Sequence, residues 1–322
     1  MALSFVKRNP APTLERMKAY EMVRRLVDEG IESNPSFLKI RLKEAGLVVP
    51  SSETLRRWAR STHSPSSGVR IFEPRPSEEL SFFLGAWLGD GWADENDGGQ
   101  RLLLKVRSYD FAKEFADCAT KILRKTEAYK VRRVNSKRGI WYLVKVTSLM
   151  LYQFTIQPLD RLRKYIEPHS KGFLRGLFTA EGCPIVSVTN LKRPSLGVGV
   201  VVSNSDRELL ELARALLIEQ DLHPGSIRVN MLKGRRTNLG IARNTGWNLS
   251  LSGFRYVVLF AGLIGFADSV KLTKLMDAIL LITEGGRINA AFEWRLLYEK
   301  IHGDWTKKSS SLSHCDDSSD LT

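Results

Sequence analysis

The sequence predicts an α+β protein made of two copies of one helix–strand pattern behind a small helical N-terminal segment. Three observations predict it: apolar residues at helical spacing early in the chain, short alternating strands further on, and the return of the same element order after about residue 169. Residues 13–30 carry Met17, Tyr20, Met22, Val23, Leu26 and Val27 at helical spacing, with Gly30 as a stop. Residues 36–46 read as a second helix that also ends in Gly. A third follows in SSETLRRWARS, with Ser51 or Ser52 as cap and Glu53 in its first turn. Two short helices joined through Gly46 suggest a helix-turn-helix, in which Arg56, Arg57 and Arg60 face phosphates or a groove. A small packing module with a solvated basic face accounts for the same residues.

Residues 61–76 are rich in Ser, Pro and Gly and read as a linker. The first copy, 77–168, starts with a helix over 77–90. It continues with a basic strand near 101–107, a helix 109–124, strands near 128–135 and 140–147, and a helical stretch 148–166. The second copy, 169–285, starts with a helix over 170–181. Strands near 185–189 and 196–203, a helix 206–220, strands near 226–233 and 246–252 and a helix 253–264 follow. Helices at 268–283 and 290–302 complete the chain, and the Ser-rich tail from Thr306 is expected to be disordered.

The composition is globular, and 49 Lys plus Arg against 35 Asp plus Glu give a net charge of +14. Such an excess points to a polyanionic partner, nucleic acid first. The three Cys (Cys118, Cys183, Cys315) are far apart and include no CxxC, so neither a zinc ribbon nor a disulfide framework is indicated, and a reducing, cytoplasmic compartment fits. No secretory signal and no run of 18 apolar residues is present, so no membrane association is expected. The five His show no paired metal-ligand spacing, and neither a P-loop nor a dinucleotide fingerprint occurs.

The strongest chemical signal lies in the helices that open the two copies, PSEELSFFLGAWLGDGW and PHSKGFLRGLFTAEGCP. Ser77 and Ser170 are expected as their N-caps. Gly85 and Gly89 lie four apart on one ridge, as do Gly176 and Ala180, and small residues at that spacing let two helix backbones approach. Each helix ends in an acid followed by Gly, Asp90-Gly91 and Glu181-Gly182, and Gly in that position suits a left-handed cap. A carboxylate at a helix C-terminus faces the negative end of the macrodipole. If the helices pack side by side, both acids and both negative ends converge, and a hard divalent cation resolves the conflict. Two buried helices with incidental terminal acids are the bland alternative. The acids stand 91 residues apart at equivalent repeat positions, which favours a metal site for phosphodiester cleavage.

FLGAWLGDG (83–91) and LRGLFTAEG (174–182) resemble the two motifs of single-chain LAGLIDADG homing endonucleases, most of all the archaeal intron-encoded branch. The resemblance covers about 77–265 and leaves the first 76 residues outside. It implies two αββαββα subdomains about a pseudo-twofold axis, whose sheets form a saddle in the DNA major groove. It implies a monomer that cuts both strands and leaves short 3′ overhangs. It also implies Mg²⁺, or another divalent cation such as Mn²⁺ or Ca²⁺, held by Asp90 and Glu181 with the adjoining Gly89 and Ala180. Arg107 is the best match to a basic residue near the metal, with Lys105 second. The second copy offers Ser203, Asn204 and Ser205 at that place and no Lys, so the two half-sites are expected to be unequal.

Strand alternation fits double-stranded DNA as partner. Arg101, Lys105 and Arg107 share one face with Leu103, while Leu102, Leu104 and Val106 share the other. Ser226, Arg228 and Asn230 oppose Ile227, Val229 and Met231; Asn248, Ser250 and Ser252 oppose Trp247, Leu249 and Leu251. Lys130, Arg132, Arg133, Lys137 and Arg138 crowd one hairpin, and Lys233, Arg235 and Arg236 its counterpart, where they are expected to grip phosphates. Lys145, Lys192 and Arg193 complete the expected DNA-binding set with Arg56 and Arg57. An RNA maturase acting on its own intron RNA, or a DNA-binding regulator that has lost cleavage, would use the same fold. The ends, Met-Ala and Leu-Thr without a terminal His-Asn, read against an intein.

Overall fold

The computed structural model describes residues 13–62, 72–94, 101–137, 139–189, 192–237, 240–301 and 303–308. They divide into two compact units, one up to Ala180 and one from Glu181 onward.

The first unit begins with α1 (Thr13–Asp28), α2 (Pro35–Glu44) and α3 (Ser52–Ala59). Their apolar stripes meet in a core of Ala19, Val23, Leu26, Leu38, Leu42, Leu55 and Trp58. Asn34 and Ser51 cap α2 and α3 by accepting from Ser36 N and Thr54 N. Gly30 and Gly46 close α1 and α2 at φ of +68° and +66°, a region that glycine enters without steric cost. Arg24 Nη1 donates to the Ala59 carbonyl (2.8 Å) and satisfies the C-terminal end of α3. The connection over 45–51 is longer than the three or four residues of a helix-turn-helix turn. Of the expected linker, 63–71 lie outside the described residues, but Phe72 is buried and packs edge-on against Phe154 at 5.3 Å. The linker therefore ends in the core.

Next come α4 (Glu78–Asp90), β1 (Gly91–Asp94), β2 (Arg101–Val106), α5 (Tyr109–Ile122), β3 (Val131–Ser136), β4 (Gly139–Thr147), α6 (Leu149–Thr155), α7 (Leu159–Ile166) and α8 (Ser170–Glu181). The four strands form an antiparallel sheet in the order β1-β2-β4-β3, with α4 and α5 packed against it. β1 escaped the sequence reading because GWAD is only four residues long and shows no clean alternation. The expected helical stretch 148–166 is two helices, broken at Pro158.

The second unit holds β5 (Gly182–Val188), β6 (Leu196–Asn204), α9 (Arg207–Glu219), β7 (Arg228–Met231), β8 (Arg236–Thr237), β9 (Gly240–Ile241), β10 (Gly246–Ser252), α10 (Phe254–Leu263), α11 (Ser269–Leu297), β11 (Tyr298–Ile301) and β12 (Asp304–Lys307). Its main sheet repeats the first in order, β5-β6-β10-β7. α9, α10 and α11 pack on it. α11 bends at Gly286 (φ 68°, ψ 170°), so the two expected C-terminal helices are joined end to end. The second stops at Leu297, not 302. Tyr298–Ile301 pairs with Asp304–Lys307 as a hairpin, which Trp294 and Trp305 anchor to the core. Thr306–Lys308 is thus ordered, contrary to the expected disordered tail; residues 309–322 lie outside the described part.

Three local expectations are corrected. Ser170 is not an extended N-cap: a 3₁₀ turn, Glu167–His169, runs straight into α8, and Ser170 is already helical at φ −56°, ψ −32°. Gly91 is not a left-handed cap either; its φ is −80° and it starts β1. Space explains this glycine, since a Cβ there would lie 2.4 Å from Trp87 Cδ1. Gly182 likewise starts a strand and is absent from the positive-φ residues.

A close backbone contact in the first unit joins α4 to α8. A Cβ on Gly85 would sit 2.1 Å from Phe173 O, and one on Gly176 would sit 2.3 Å from Phe82 O. A Cβ on Gly172, which sequence reading passed over, would sit 2.7 Å from Glu78 O. It stands four residues before Gly176, so the small-residue spacing in GFLRG was legible. Contacts step from Glu78/Gly172 to Ala86/Gly176, so the helices run in the same direction. Gly89 and Ala180 are half-buried. The Arg175 guanidinium, paired with Glu114 through Nε–Oε1 at 2.9 Å and Nη2–Oε2 at 3.0 Å, ties α8 to α5 as well. Gly176→Ala is expected to destabilise the protein by about 2–3 kcal/mol, since the added methyl forces two backbones apart. Urea unfolding checks this; an unchanged midpoint would refute the backbone contact.

Candidate metal centre and nucleic-acid interface

Asp90 and Glu181 are the last residues of α4 and α8, the first exposed and the second half-buried. In each unit the chain passes from helix to strand without a loop. Glycine starts the strand and pairs across to the long neighbouring strand, Gly91 with Leu104 and Gly182 with Val202. Two residues beyond those partners stand Val106 and Asn204, which the registers make equivalent.

These two positions differ in chemistry. Asn204 Nδ2 donates to Glu181 Oε1 at 3.1 Å. Its Oδ1 accepts from Asp206 N at 2.8 Å, which fixes the amide orientation. Val106 is a buried hydrophobe and offers nothing of the kind. Sequence reading had marked Asn204 only for what it was not, a lysine.

The donors around each acid are hard oxygens: one carboxylate and the carbonyls at the C-terminal end of a helix. Among the described residues no group of three or more His, Cys, Asp or Glu could hold a metal by itself. Such a set suits Mg²⁺, which takes one or two carboxylates and fills its remaining positions with water and phosphate oxygens. It does not suit zinc, whose structural sites need four protein ligands.

The registers sort the expected contact residues by face. In the first sheet Arg101, Leu103 and Lys105 share a face with Trp92, Trp141, Leu143, Lys145, Arg132 and Val134. Leu103 is buried on that face between Trp92 and Lys145 in register, so the face is not wholly polar. Lys105 Nζ and Arg107 Cζ lie 5.4 and 5.0 Å from the Trp141 ring centroid, a cation–π arrangement that holds both cations at one place. Arg133 pairs with Tyr142 and points to the opposite, helix-covered face. Its exposure comes from the edge position of β3, and it does not join Arg132. Lys130 and Lys137 are exposed at the two ends of β3; Arg138 lies outside the described residues.

In the second sheet Leu249 and Leu251 are buried, and Asn248, Ser250 and Ser252 share the other face with Ser203, Val201 and Arg228. Asn248 Oδ1 is buried there with no hydrogen-bond partner, an acceptor that needs a donor. Asn230 falls in a β-bulge, because Val229 pairs with Trp247 and Met231 with Gly246. Lys233, Arg235 and Arg236 are exposed on the ribbon beyond β7, closed by Gly234 N to Ala242 O at 2.8 Å and by β8 against β9. Lys192 and Arg193 are exposed between β5 and β6. This face is close to neutral, whereas the first carries four cations, Arg101, Lys105, Lys145 and Arg132. In the N-terminal helices Arg56 and Arg57 share Glu53 at 3.6 and 3.1 Å, exposed pairs of little energetic weight.

A family model described as "LAGLIDADG-like domain" matches residues 169–265, from the start of α8 to just past α10. An uncharacterized protein of Methanocaldococcus jannaschii is 31% identical over 192 residues, covering 59% of this chain and 65% of that one. A second from the same organism is 27% identical over 146 residues, covering 44% and 54%. The chain thus spans less than two thirds of either relative. Among solved structures, I-DmoI in complex with DNA and Mn is 20% identical with a TM-score of 0.42, covering 59% of this chain and 98% of that one. Full-length DUF199/WhiA from Thermatoga maritima is 19% identical with a TM-score of 0.41, covering 70% and 68%.

Proposed function

We propose that the chain is a divalent-metal-dependent homing endonuclease that cuts both strands of a long, specific DNA site. One observation carries this reading: two glycine-paired parallel helices, each closed by an acid at the point where it becomes a strand. Stability alone gives no reason for a carboxylate at the negative end of a helix, and here it recurs at equivalent positions. The matched LAGLIDADG-like segment supports it.

In this reading Asp90 and Glu181 hold Mg²⁺, with the carbonyls of Gly89 and Ala180 close by. The cation, when bound, supplies an activated water and stabilises the leaving oxygen. Arg101, Lys105, Arg132 and Lys145 face the DNA, and the Trp141-held Arg107 offsets phosphate charge near the first acid. Asn248, Ser250 and Arg228 read base edges on the second sheet, where the acceptor of Asn248 finds its donor. Lys130, Lys137, Lys192, Arg193, Lys233, Arg235 and Arg236 grip phosphates, and Arg56 and Arg57 extend the contact. Asn204 keeps the Glu181 carboxylate oriented. The equivalent place in the first sheet holds Val106 instead of an amide, so the two strands are cut at different rates.

A target selected by cleavage from a randomised DNA library provides the substrate. Asp90→Asn and Glu181→Gln should each lower double-strand cleavage by about 100-fold or more, with duplex affinity in Ca²⁺ nearly unchanged. Unaltered cutting by both variants would remove the acids from catalysis. Binding without cleavage by the native chain would leave a DNA-binding protein in place of a nuclease.

Asn204→Leu should slow one strand by about tenfold, as loss of an outer hydrogen bond to a metal-holding acid does. End-labelled substrates would then show a nicked intermediate in excess. Equal slowing of both strands would show that Asn204 does not serve one acid.

Arg132→Glu should weaken duplex binding by about tenfold and lower its salt dependence, whereas Arg133→Glu should do neither to the same degree. Equal losses in gel-shift titrations would contradict the facial assignment.

A further inference from the structure

Each unit seats an arginine on a tryptophan. Arg107 Cζ lies 5.0 Å from the Trp141 ring centroid, and Arg207 Cζ lies 5.0 Å from that of Trp247. The two pairs are not copies of each other. Arg107 follows the last residue of β2 and shares the open face of its sheet with Trp141. Arg207 is the first residue of α9, and Trp247 stands on the helix-covered face with Leu249 and Leu251.

Strand register places the second pair beside Glu181. Trp247 is directly opposite Asn204 across β10 and β6, and Asn204 Nδ2 donates to Glu181 Oε1 at 3.1 Å. Facing residues of antiparallel strands are roughly 5 Å apart. Acid, amide, indole and guanidinium therefore stand in one row. The same place in the first unit is filled differently. Val106 is opposite Tyr142, and Tyr109, the first residue of α5, packs edge-on against Tyr142 at 5.3 Å between ring centroids. Tyr109 and Arg207 are equivalent, each one residue past an N-cap, Ser108 and Asp206. Counting from the same registers, Ser205 stands where the first unit has Arg107. Each unit thus brings one ring-seated arginine to the region of its acid, from a different element.

Stability gives little reason for a cation at Arg207. In the first turn it faces the positive end of the helix dipole. Its pairing with Glu211, Nε to Oε1 at 2.9 Å, joins side chains 58% and 53% exposed, a contact of little weight. The helix end is not the attraction either, because Asp206 already accepts from Leu209 N. A ring beneath a guanidinium fixes its plane without occupying its N–H donors.

We propose that Arg207 binds the scissile phosphate of the strand cut at Glu181, as Arg107 does for the strand cut at Asp90. The assignment rests on the nuclease reading and names the cation of its second centre. A guanidinium donates two parallel hydrogen bonds to one phosphate, and the ring behind it holds that fork in place. Arg207 positions the phosphate and offsets its charge, and it moves no proton.

Binding of the library-selected duplex to the full chain in EDTA tests this, with a neutral methylphosphonate at one cut position or at the other. The native chain should lose about tenfold in affinity at either position. Arg207→Met should lose nothing further at one position and about tenfold at the other, and Arg107→Met should show the reverse. Arg207→Lys keeps the charge without the fork and should fall between the native chain and Arg207→Met. In Mg²⁺, end-labelled duplex should show Arg207→Met slowing the strand that Asn204→Leu slows. Full loss at both positions in Arg207→Met, or the same position silenced in both arginine variants, would overturn the assignment; native cutting would leave the nuclease reading standing. A native chain that binds no duplex would end both.

Discussion

Backbone-to-backbone packing of α4 on α8 is the constraint on which the first unit depends. Where two helices meet through side chains, their axes stay eight to ten ångströms apart (about that range). Here Gly85, Gly172 and Gly176 remove the spacers, and main-chain atoms of each helix touch the other. Every group that follows inherits its position from that contact. The helices run parallel, and each turns directly into a sheet-edge strand through a glycine with no room for a side chain or no need of one. Neither acid is placed by a flexible loop. Each is the last residue of a rigid element, and the register of its strand fixes which residues of the long neighbour lie beside it.

Much of this was legible from the chain. Glycine spacing, the acid–glycine endings and the repeated element order all rest on local rules that hold in any context. The same rules found the three N-terminal helices and offered Ser51 as one of two caps for the third, while the Asn34 cap of the second was not read from the sequence. What failed did so where tertiary placement overrides local preference. Ser170 resembles a cap, but a preceding 3₁₀ turn has already set its backbone. Gly91 looks like a left-handed terminator, but a tight Trp87 contact explains it. Residues 298–307 read as helix end and tail because their apolar residues are few, and the hairpin is anchored by Tyr298 stacked on Trp294 and by Trp305.

The candidate site was legible in composition and less so in geometry. A basic hairpin announces itself by sequence, yet the register divides Arg132 from Arg133 and sends them to opposite faces. Pairing across strands is a non-local fact. The role of Asn204 is likewise hidden, since its partner stands 23 residues away and is reached only after two strands pair. Lys105 and Arg107 were expected as cations on one strand; their shared seat on Trp141 needed the fourth strand of that sheet.

The two sheets share order and pairing but not charge: four cations line one open face, and Asn, Ser, Val and a single Arg line the other. A partner with two identical halves could satisfy only one of them well. A chain of this kind has a head and a tail, and its best ligand must have them too.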